Sequence, residues 1–248
     1  MYKKVFDSFL YGMCPLIFIF CYLLLGSGLL VLSKERLDVV MCTCIVDAIA
    51  VFVGIFYYKK VKCIGTSEPR SLNVFIVVLG IFSWLVGQIC AQYIILNFND
   101  SSFSDYQTEM KSSAFFLLLL SLVCAPSAEE ILIRGVLYNS WKRFNIYAAC
   151  IVQTSVFTLL HGTAVHIPIC ILFSVFQALV YERTHKIYYC IIFHFCYNFL
   201  AYFVPDTDIS YSNMANVVLI AIYAILFLIL FYYYWQEVLK NKKSSGTV

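Results

Sequence analysis

The sequence predicts an all-α, polytopic membrane protein with about eight transmembrane helices. Hydrophobic residues make up 62% of the 248 residues and charged residues only 12%, against roughly 45–50% and 25% in soluble domains. Charge-free apolar runs recur along the chain, and most approach the length of about 20 residues that a helix needs to cross a bilayer. Basic residues collect in alternate connections between these runs. The composition argues against a soluble domain, a disulfide-rich secreted scaffold, a disordered chain and a nucleic-acid-binding protein.

The apolar runs define the predicted spans in order. The first four cover residues 8–33, 39–58, 71–98 and a segment that starts near Ser112 and runs into Glu129 and Glu130. Residues 144–181 contain no Asp, Glu, Lys or Arg. This apolar run is too long for a single crossing. The stretch from His161 to Pro168 contains a helix stop and a restart, so it predicts a fifth and a sixth span. The seventh covers about 187–204 and the eighth about 213–236.

The basic residues predict the orientation of the chain, because Lys and Arg are enriched in cytoplasmic loops. In an eight-span arrangement, thirteen of the seventeen basic residues fall on one side. The loops on the other side are acidic and carry Asp100, Asp105, Glu109, Asp206 and Asp208. Both termini are therefore predicted to be cytoplasmic. The first apolar run is long and lacks an Ala-x-Ala site, so we expect an uncleaved anchor.

The eleven cysteines are mostly scattered through apolar runs, and no CxxC pair occurs. A thiol in such a run behaves as a small hydrophobic side chain. The sequence therefore predicts free thiols rather than a disulfide framework or a cysteine zinc site.

Ionisable residues inside predicted spans are few and concentrated. Such residues are costly in a bilayer and usually mark function. The set consists of Asp47, Glu129, Glu130, Arg134, His161 and His194, with Asn198 as an uncharged companion. All except Asp47 lie between residues 129 and 198, which makes this region the candidate site.

The first motif is Glu129-Glu130 followed by Arg134. Pro126 is expected to break the incoming helix, and Ser127 is expected to cap a new one in a capping box with Glu130. Glu130 and Arg134 are i,i+4 neighbours, which predicts an ion pair. Glu129 is rotated by about 100° and has no local cation, so it is a candidate general acid or base. The alternative is that both acids only cap the helix and bind its arginine.

The other two motifs carry histidines. Phe157 is followed by His161, which is predicted to end a helix. His161 is a candidate site residue, and the alternative is a structural histidine bonded to a neighbouring carbonyl. His194 and Asn198 share one helical face and could donate hydrogen bonds to a developing oxyanion. The alternative for this pair is interhelical hydrogen bonding, worth about 0.6 kcal/mol on average.

Together, the motifs EExxxR, FxxxH and HxxxN resemble the CPBP family of CAAX proteases and bacteriocin-processing enzymes, the CAAX protease–ABI intramembrane peptidases. The resemblance covers about residues 112–204 and rests on Glu129, Glu130 and Arg134, then Phe157 and His161, then His194 and Asn198. It implies a division into three N-terminal spans (1–111), a catalytic core of four spans (112–204), and a last span with a basic cytoplasmic tail (205–248).

The resemblance also implies roles. Glu129 and His161 would activate a water, and His194 and Asn198 would form the oxyanion site. Glu130, Arg134 and Phe157 would support the site structurally. The implied reaction is peptide-bond hydrolysis with water as the nucleophile. The different depths of Glu129, His161 and His194 along their predicted spans separately predict a water-filled cavity that opens to the cytoplasm.

The resemblance favours a glutamate-dependent reaction without a metal or other cofactor. Members of the family are often labelled metalloproteases, and one carboxylate with two histidines would also satisfy a catalytic zinc site. The ligands would then be Glu129, His161 and His194. No HExxH helix is present in the sequence, which leaves the strongest zinc signature missing, so zinc stays the alternative.

The favoured function is an intramembrane endopeptidase acting on a small membrane-associated peptide or protein, in peptide maturation, signalling or bacteriocin self-immunity. The alternatives are a CAAX-type prenyl-protein endoprotease, a non-catalytic membrane scaffold or regulator, and last a transporter using Asp47. The expected partners are membrane lipid and a hydrophobic or lipid-modified substrate, without nucleic acid. The expected location is a bacterial plasma membrane, or the endoplasmic reticulum in a eukaryote. The sequence leaves the oligomeric state open.

Overall fold

The computed structural model describes residues 9–33, 39–61, 69–98, 115–161, 164–203 and 213–244. Within these ranges every regular element is a helix. Nine α-helices occur in this part of the chain: α1 (Cys14–Ser33), α2 (Val39–Val61), α3 (Val74–Phe98), α4 (Phe115–Glu130), α5 (Asn139–Lys142), α6 (Ile146–Leu160), α7 (His166–Thr184), α8 (Ile187–Phe203) and α9 (Asn213–Ser244). A π-helical turn, Phe9–Met13, precedes α1, and a π-helical segment, Ile131–Tyr138, joins α4 to α5.

The predicted all-α membrane class is confirmed. Five of the described helices are long and apolar enough to cross a bilayer: Tyr11–Gly28, Met41–Val61, Val74–Ile94, His166–Thr184 and Val217–Asn241. Two shorter apolar helices, Ile146–Leu160 and Ile187–Ala201, accompany them. The chain also stops and restarts its helix between α6 and α7, where the sequence predicts a turn. The count of eight spans and the cytoplasmic position of the termini stay predictions.

The outward surfaces of the long helices are apolar. Phe20, Phe52 and Val217 are 60%, 66% and 67% exposed, which would be unfavourable in water and is favourable against lipid chains. Buried positions of the same helices hold polar groups such as Asp47 and Ser83. This distribution is the one expected of an integral membrane protein.

The predicted helix break at Pro126 is wrong. Helix α4 continues through Pro126 to Glu130, and the Ser127 hydroxyl donates a hydrogen bond back to the Val123 carbonyl at 2.7 Å. A serine inside an apolar helix satisfies its hydroxyl on the carbonyl of the preceding turn rather than capping a new helix. Because α4 is continuous through Pro126, Ser127 does not begin a helix, and the predicted capping box is absent. The winding changes instead at Ile131, where the π-helical segment begins.

The chain divides into two compact units. The first unit comprises residues 1–63, 108–152 and 191–199, and the second comprises 64–107, 153–190 and 200–248. This division does not test the three-part organisation predicted from the sequence, which stays a prediction.

Helix α2 is central to the first unit, because it packs against α1, α4 and the π-helical segment. A Cβ atom on Gly54 would lie 2.7 Å from the Ile131 side chain, so the absence of a side chain permits this close approach. At the end of the same helix, Arg143 donates a hydrogen bond to the Val61 carbonyl at 3.0 Å. The Arg143 guanidinium also lies 4.2 Å from the centre of the Tyr11 ring, a cation–π contact.

The second unit is built on α3, α7 and α9. Gly80 lets α3 approach the Phe176 ring of α7, since a Cβ atom there would lie 2.5 Å from the ring. The buried Glu237 of α9 pairs with Arg70 and with Arg183, the latter at 3.0 Å. These ion pairs join α9 to the end of α7 and to the connection before α3.

We predict that Gly54→Ala destabilises the protein by roughly 1–3 kcal/mol, because the added methyl group must displace Ile131 from a packed contact. Gly26→Ala is the matched control, since a Cβ atom there meets nothing within 4 Å. The control should be neutral or stabilising by up to about 1 kcal/mol, because alanine is the better helix former. Unfolding of both variants in detergent measures the difference. Equal stability of the two variants would contradict the close approach of α2 to the π-helical segment.

Candidate active site

The first motif lies where α4 passes into the π-helical segment. Glu129 and Glu130 are the last two residues of α4, and Arg134 lies in the π-helical segment, all eight residues of which are buried. The Asn139 side chain donates hydrogen bonds to the carbonyls of Arg134 and Gly135, at 2.8 and 2.9 Å. π-Helical winding of this kind often occurs at functional sites.

The predicted ion pair between Glu130 and Arg134 is confirmed. Arg134 Nη1 lies 3.1 Å from Glu130 Oε1, and both side chains are completely buried. Charges are costly to bury alone, so each residue depends on the other in this position.

His194 of α8 is the third member of this cluster. Its Nδ1 lies 2.8 Å from the same oxygen, Glu130 Oε1. A carboxylate can only accept a hydrogen bond, so Nδ1 carries the proton and donates it. Glu130 Oε1 therefore receives hydrogen bonds from both Arg134 and His194. Sequence analysis did not predict the Glu130–His194 contact, because nothing in the spacing of residues on separate helices indicates it.

Glu129 faces the other nitrogen of the same imidazole. Its Oε2 lies 3.7 Å from His194 Nε2, which is longer than a direct hydrogen bond. Oε2 has no hydrogen-bond partner among the described residues, although the side chain is only 22% exposed. Glu129 is thus a largely buried carboxyl group with an oxygen available for a water or a substrate group.

Asn198 lies one helical turn after His194 on α8 and is partly exposed. The i,i+4 spacing on a continuous helix places both side chains on one face. This agrees with the shared face that the sequence predicts for the third motif.

Phe157 and His161 belong to the second unit, and they are described through their own contacts. His161 Nδ1 donates a hydrogen bond to the Phe157 carbonyl at 2.9 Å, which leaves the lone pair of neutral His161 on Nε2. The two rings also contact each other, with centroids 4.5 Å apart, and Phe157 packs on Phe173 of the same unit. The hydrogen bond to the Phe157 carbonyl is the structural alternative that the sequence left open for His161. The same hydrogen bond places the proton of a neutral His161 on Nδ1.

The structure brings together Glu129, Glu130, Arg134 and His194 in one unit. Among the residues that it describes, no group of three or more His, Cys, Asp or Glu side chains is arranged to hold a metal ion.

Comparison with known proteins adds one family match. Residues 111–200 match the family model described as "Rce1-like: Type II CAAX prenyl endopeptidase Rce1-like". The matched model belongs to the CPBP family, so residues 111–200 are similar to that family. All three motifs, from Glu129 to Asn198, lie inside the matched region, and the family is a family of proteases. No curated protein and no solved structure matches the chain.

We predict that Arg134→Met destabilises the protein by about 3–5 kcal/mol, because it leaves Glu130 buried without its cation. The double variant Glu130→Gln/Arg134→Met should recover most of that loss, since it removes the uncompensated charge while Gln can still accept the hydrogen bond of His194. Unfolding in mixed detergent micelles, measured as a double-mutant cycle, gives the coupling. Additive losses from the two single variants would show that the pair does not interact.

Proposed function

We propose that the protein is an intramembrane endopeptidase in which Glu129 activates a water for attack on a peptide bond. The observation that carries this proposal is the position of Glu129 within a buried cluster. The neighbouring Glu130 is already paired with Arg134, while Glu129 Oε2 has no hydrogen-bond partner among the described side chains. A carboxylate that is not held in an ion pair can accept a proton from water, which is the task of a general base.

The proposed reaction has two steps. Glu129 takes a proton from the water as its oxygen attacks the scissile carbonyl, which gives a tetrahedral oxyanion. The protonated Glu129 then donates that proton to the leaving amine as the carbon–nitrogen bond breaks. Collapse of the intermediate gives a new carboxylic acid and a new amine, and Glu129 returns to its starting form. The acid then passes its proton to the amine through water, which leaves a carboxylate and an ammonium group. Water is the nucleophile, so no covalent enzyme intermediate forms.

The hydrogen bond from His194 to Glu130 limits what His194 can do. Its Nδ1–H is already donated, so Nε2 can donate to an oxyanion only when the ring is an imidazolium. Neutral His194 would instead accept a hydrogen bond at Nε2. Asn198 carries amide donors in either case, and we propose it as the second oxyanion group.

From the resemblance, we propose that His161 accepts a proton of the attacking water in a hydrogen bond. Donation of its Nδ1–H to the Phe157 carbonyl leaves Nε2 as an acceptor for a water proton while the ring is neutral. Phe157 supports this geometry because its ring contacts the imidazole.

The proposed substrate is a small membrane-associated peptide or protein. The description of the matched family names a CAAX prenyl endopeptidase, which supports a prenylated protein tail as the alternative substrate. The exposed apolar surfaces of the helices suit a substrate that is itself held in the bilayer. Roles in peptide maturation, peptide signalling or bacteriocin self-immunity are proposals from the resemblance.

The protein is proposed to lie in a bacterial plasma membrane, or in the endoplasmic reticulum membrane of a eukaryote. Its site is proposed to open to the cytoplasmic side of that membrane. Lys59 and Lys60 lie in the last turn of α2, and Lys142 and Arg143 follow the π-helical segment. Basic residues at these helix ends support a cytoplasmic side there.

The alternative chemistry is zinc-dependent hydrolysis. Glu129 and His194 face each other, and the third protein ligand that the sequence suggests for a catalytic zinc site is His161. We propose hydrolysis without a metal because the resemblance favours a glutamate-dependent reaction. Loss of cleavage on chelation, restored by added zinc, would favour the alternative.

We predict that Glu129→Gln lowers the cleavage rate at least 10²–10⁴-fold, the usual contribution of a general base. The variant should keep wild-type stability, because Glu129 Oε2 makes no hydrogen bond within the described part of the chain. Comparative peptidomics of host cells with wild-type protein or Glu129→Gln at equal abundance provides the measurement. New peptide termini found only with the wild type would establish proteolysis and name the substrate.

The same experiment tests the non-catalytic alternative. Identical peptidomes, together with a deletion phenotype that Glu129→Gln rescues fully, would show that the protein acts as a scaffold or regulator. The proposed hydrolysis would then be wrong.

A further inference from the structure

Three basic side chains of the second unit surround one buried carboxylate, Glu237 of α9. The Glu237 side chain is only 3% exposed. Its partners are Arg70 before α3, Arg183 at the end of α7, and Lys240 one turn later on α9. Arg183 Nη1 and Lys240 Nζ lie 3.0 and 3.3 Å from Glu237 Oε1. A single carboxylate cannot neutralise three cations, so positive charge is left over.

Hydrogen bonds hold the two arginines in place. The Arg70 backbone N–H donates to the Arg183 carbonyl at 2.9 Å, and Arg183 Nε donates to the Ser71 carbonyl at 2.7 Å. Arg70 Nη2 also donates to Asn241 Oδ1 at 2.9 Å. The Asn241 amide donates in turn to a carboxylate oxygen of Glu182 at 3.0 Å. The arginines are therefore part of a connected network rather than isolated surface side chains.

The network stays positive after its second acid is counted. Three basic side chains and two carboxylates leave one positive charge in excess. The sequence adds Lys242 and Lys243 before α9 ends at Ser244. The Arg70 and Lys240 side chains are 32% and 54% exposed, so an anion from outside the protein can reach them.

Exposed aromatic side chains mark the depth of this network in the membrane. Tyr232 and Trp235 of α9 are 53% and 45% exposed, and such residues are enriched at the level of the lipid headgroups. Lys240 follows Trp235 by five residues, about 7.5 Å along the helix axis. The apolar part of α9 ends at Asn241. The cations therefore lie where lipid phosphates are expected.

We propose that Arg70 and Lys240 bind the phosphate of an anionic phospholipid. A guanidinium group has five N–H donors, and both side-chain contacts of Arg70 use Nη2, which leaves donors within the described part of the chain for a phosphate oxygen. Lys240 supplies a second positive charge. A zwitterionic lipid brings its own cation, so the excess charge favours an anionic headgroup. The bound lipid would bridge α9 and the connection before α3, and the proposed hydrolysis does not depend on it.

Lipid binding to the full-length protein in uncharged detergent tests this inference. Native mass spectrometry measures the affinities for phosphatidylglycerol and for phosphatidylcholine with the same acyl chains. Each basic residue near an anionic lipid contributes about fivefold, so the wild type should bind phosphatidylglycerol about 25-fold more tightly. Arg70→Gln/Lys240→Gln should lose most of that preference. Arg183 remains as the partner of Glu237 in this variant.

The matched control is Lys59→Gln/Lys60→Gln, which removes the same charge from two exposed lysines at the end of α2. It should keep the wild-type preference. Lys240→Gln alone changes an exposed side chain and should weaken phosphatidylglycerol binding about fivefold, which separates a lost contact from misfolding.

Three results would overturn the proposal. Equal affinity of the wild type for both lipids would show that the network does not select an anionic headgroup. Equal losses in the two double variants would show a diffuse attraction to the whole basic surface. Displacement of the lipid by inorganic phosphate at equal concentration would show a site for free phosphate. The measurement involves no cleavage, so its failure is distinct from a failure of Glu129→Gln to abolish proteolysis.

Discussion

The arrangement of the site depends on one oxygen atom, Glu130 Oε1. It accepts hydrogen bonds from Arg134 at 3.1 Å and from His194 at 2.8 Å. The first contact fixes the π-helical segment relative to the end of α4, and the second fixes α8 against both. Because all three side chains are buried, none can lose its partner without a large electrostatic cost. The orientation of His194 towards Glu129 follows from this arrangement.

The surrounding apolar helices make that interaction strong and also make the site reactive. Charge–charge and hydrogen-bond energies increase where water is scarce. The paired Glu130 is held in place under these conditions, whereas Glu129 Oε2 has no such partner within the described region. Two adjacent residues of one helix thus have different environments. We propose that this difference separates a structural carboxylate from a catalytic one.

Much of the fold could be predicted from composition and local spacing. Apolar runs locate the helices because each helix must satisfy its backbone within the bilayer, and the i,i+4 rule finds the Glu130–Arg134 pair. The π-helical segment could not be predicted, since nothing in the spacing of residues 131–138 distinguishes its winding from that of an α-helix. The hydrogen bond from Ser127 to the Val123 carbonyl could not be predicted either, because a serine can cap a helix or bond to the preceding turn and the local sequence fits both. The Glu130–His194 and Tyr22–Asp47 contacts join separate helices, and no sequence period encodes such pairs.

The most direct test of the account is the protonation state of His194 Nδ1. Solid-state NMR of the full-length protein in bilayers, with nitrogen-labelled histidine and assignment by comparison with His194→Gln, reports which ring nitrogen carries a proton. We predict a protonated Nδ1 in the wild type, with a shift typical of donation to a carboxylate, and a changed shift in Glu130→Leu. A neutral His194 with its proton on Nε2 and the lone pair on Nδ1 would contradict the Glu130–His194 hydrogen bond and the site built on it.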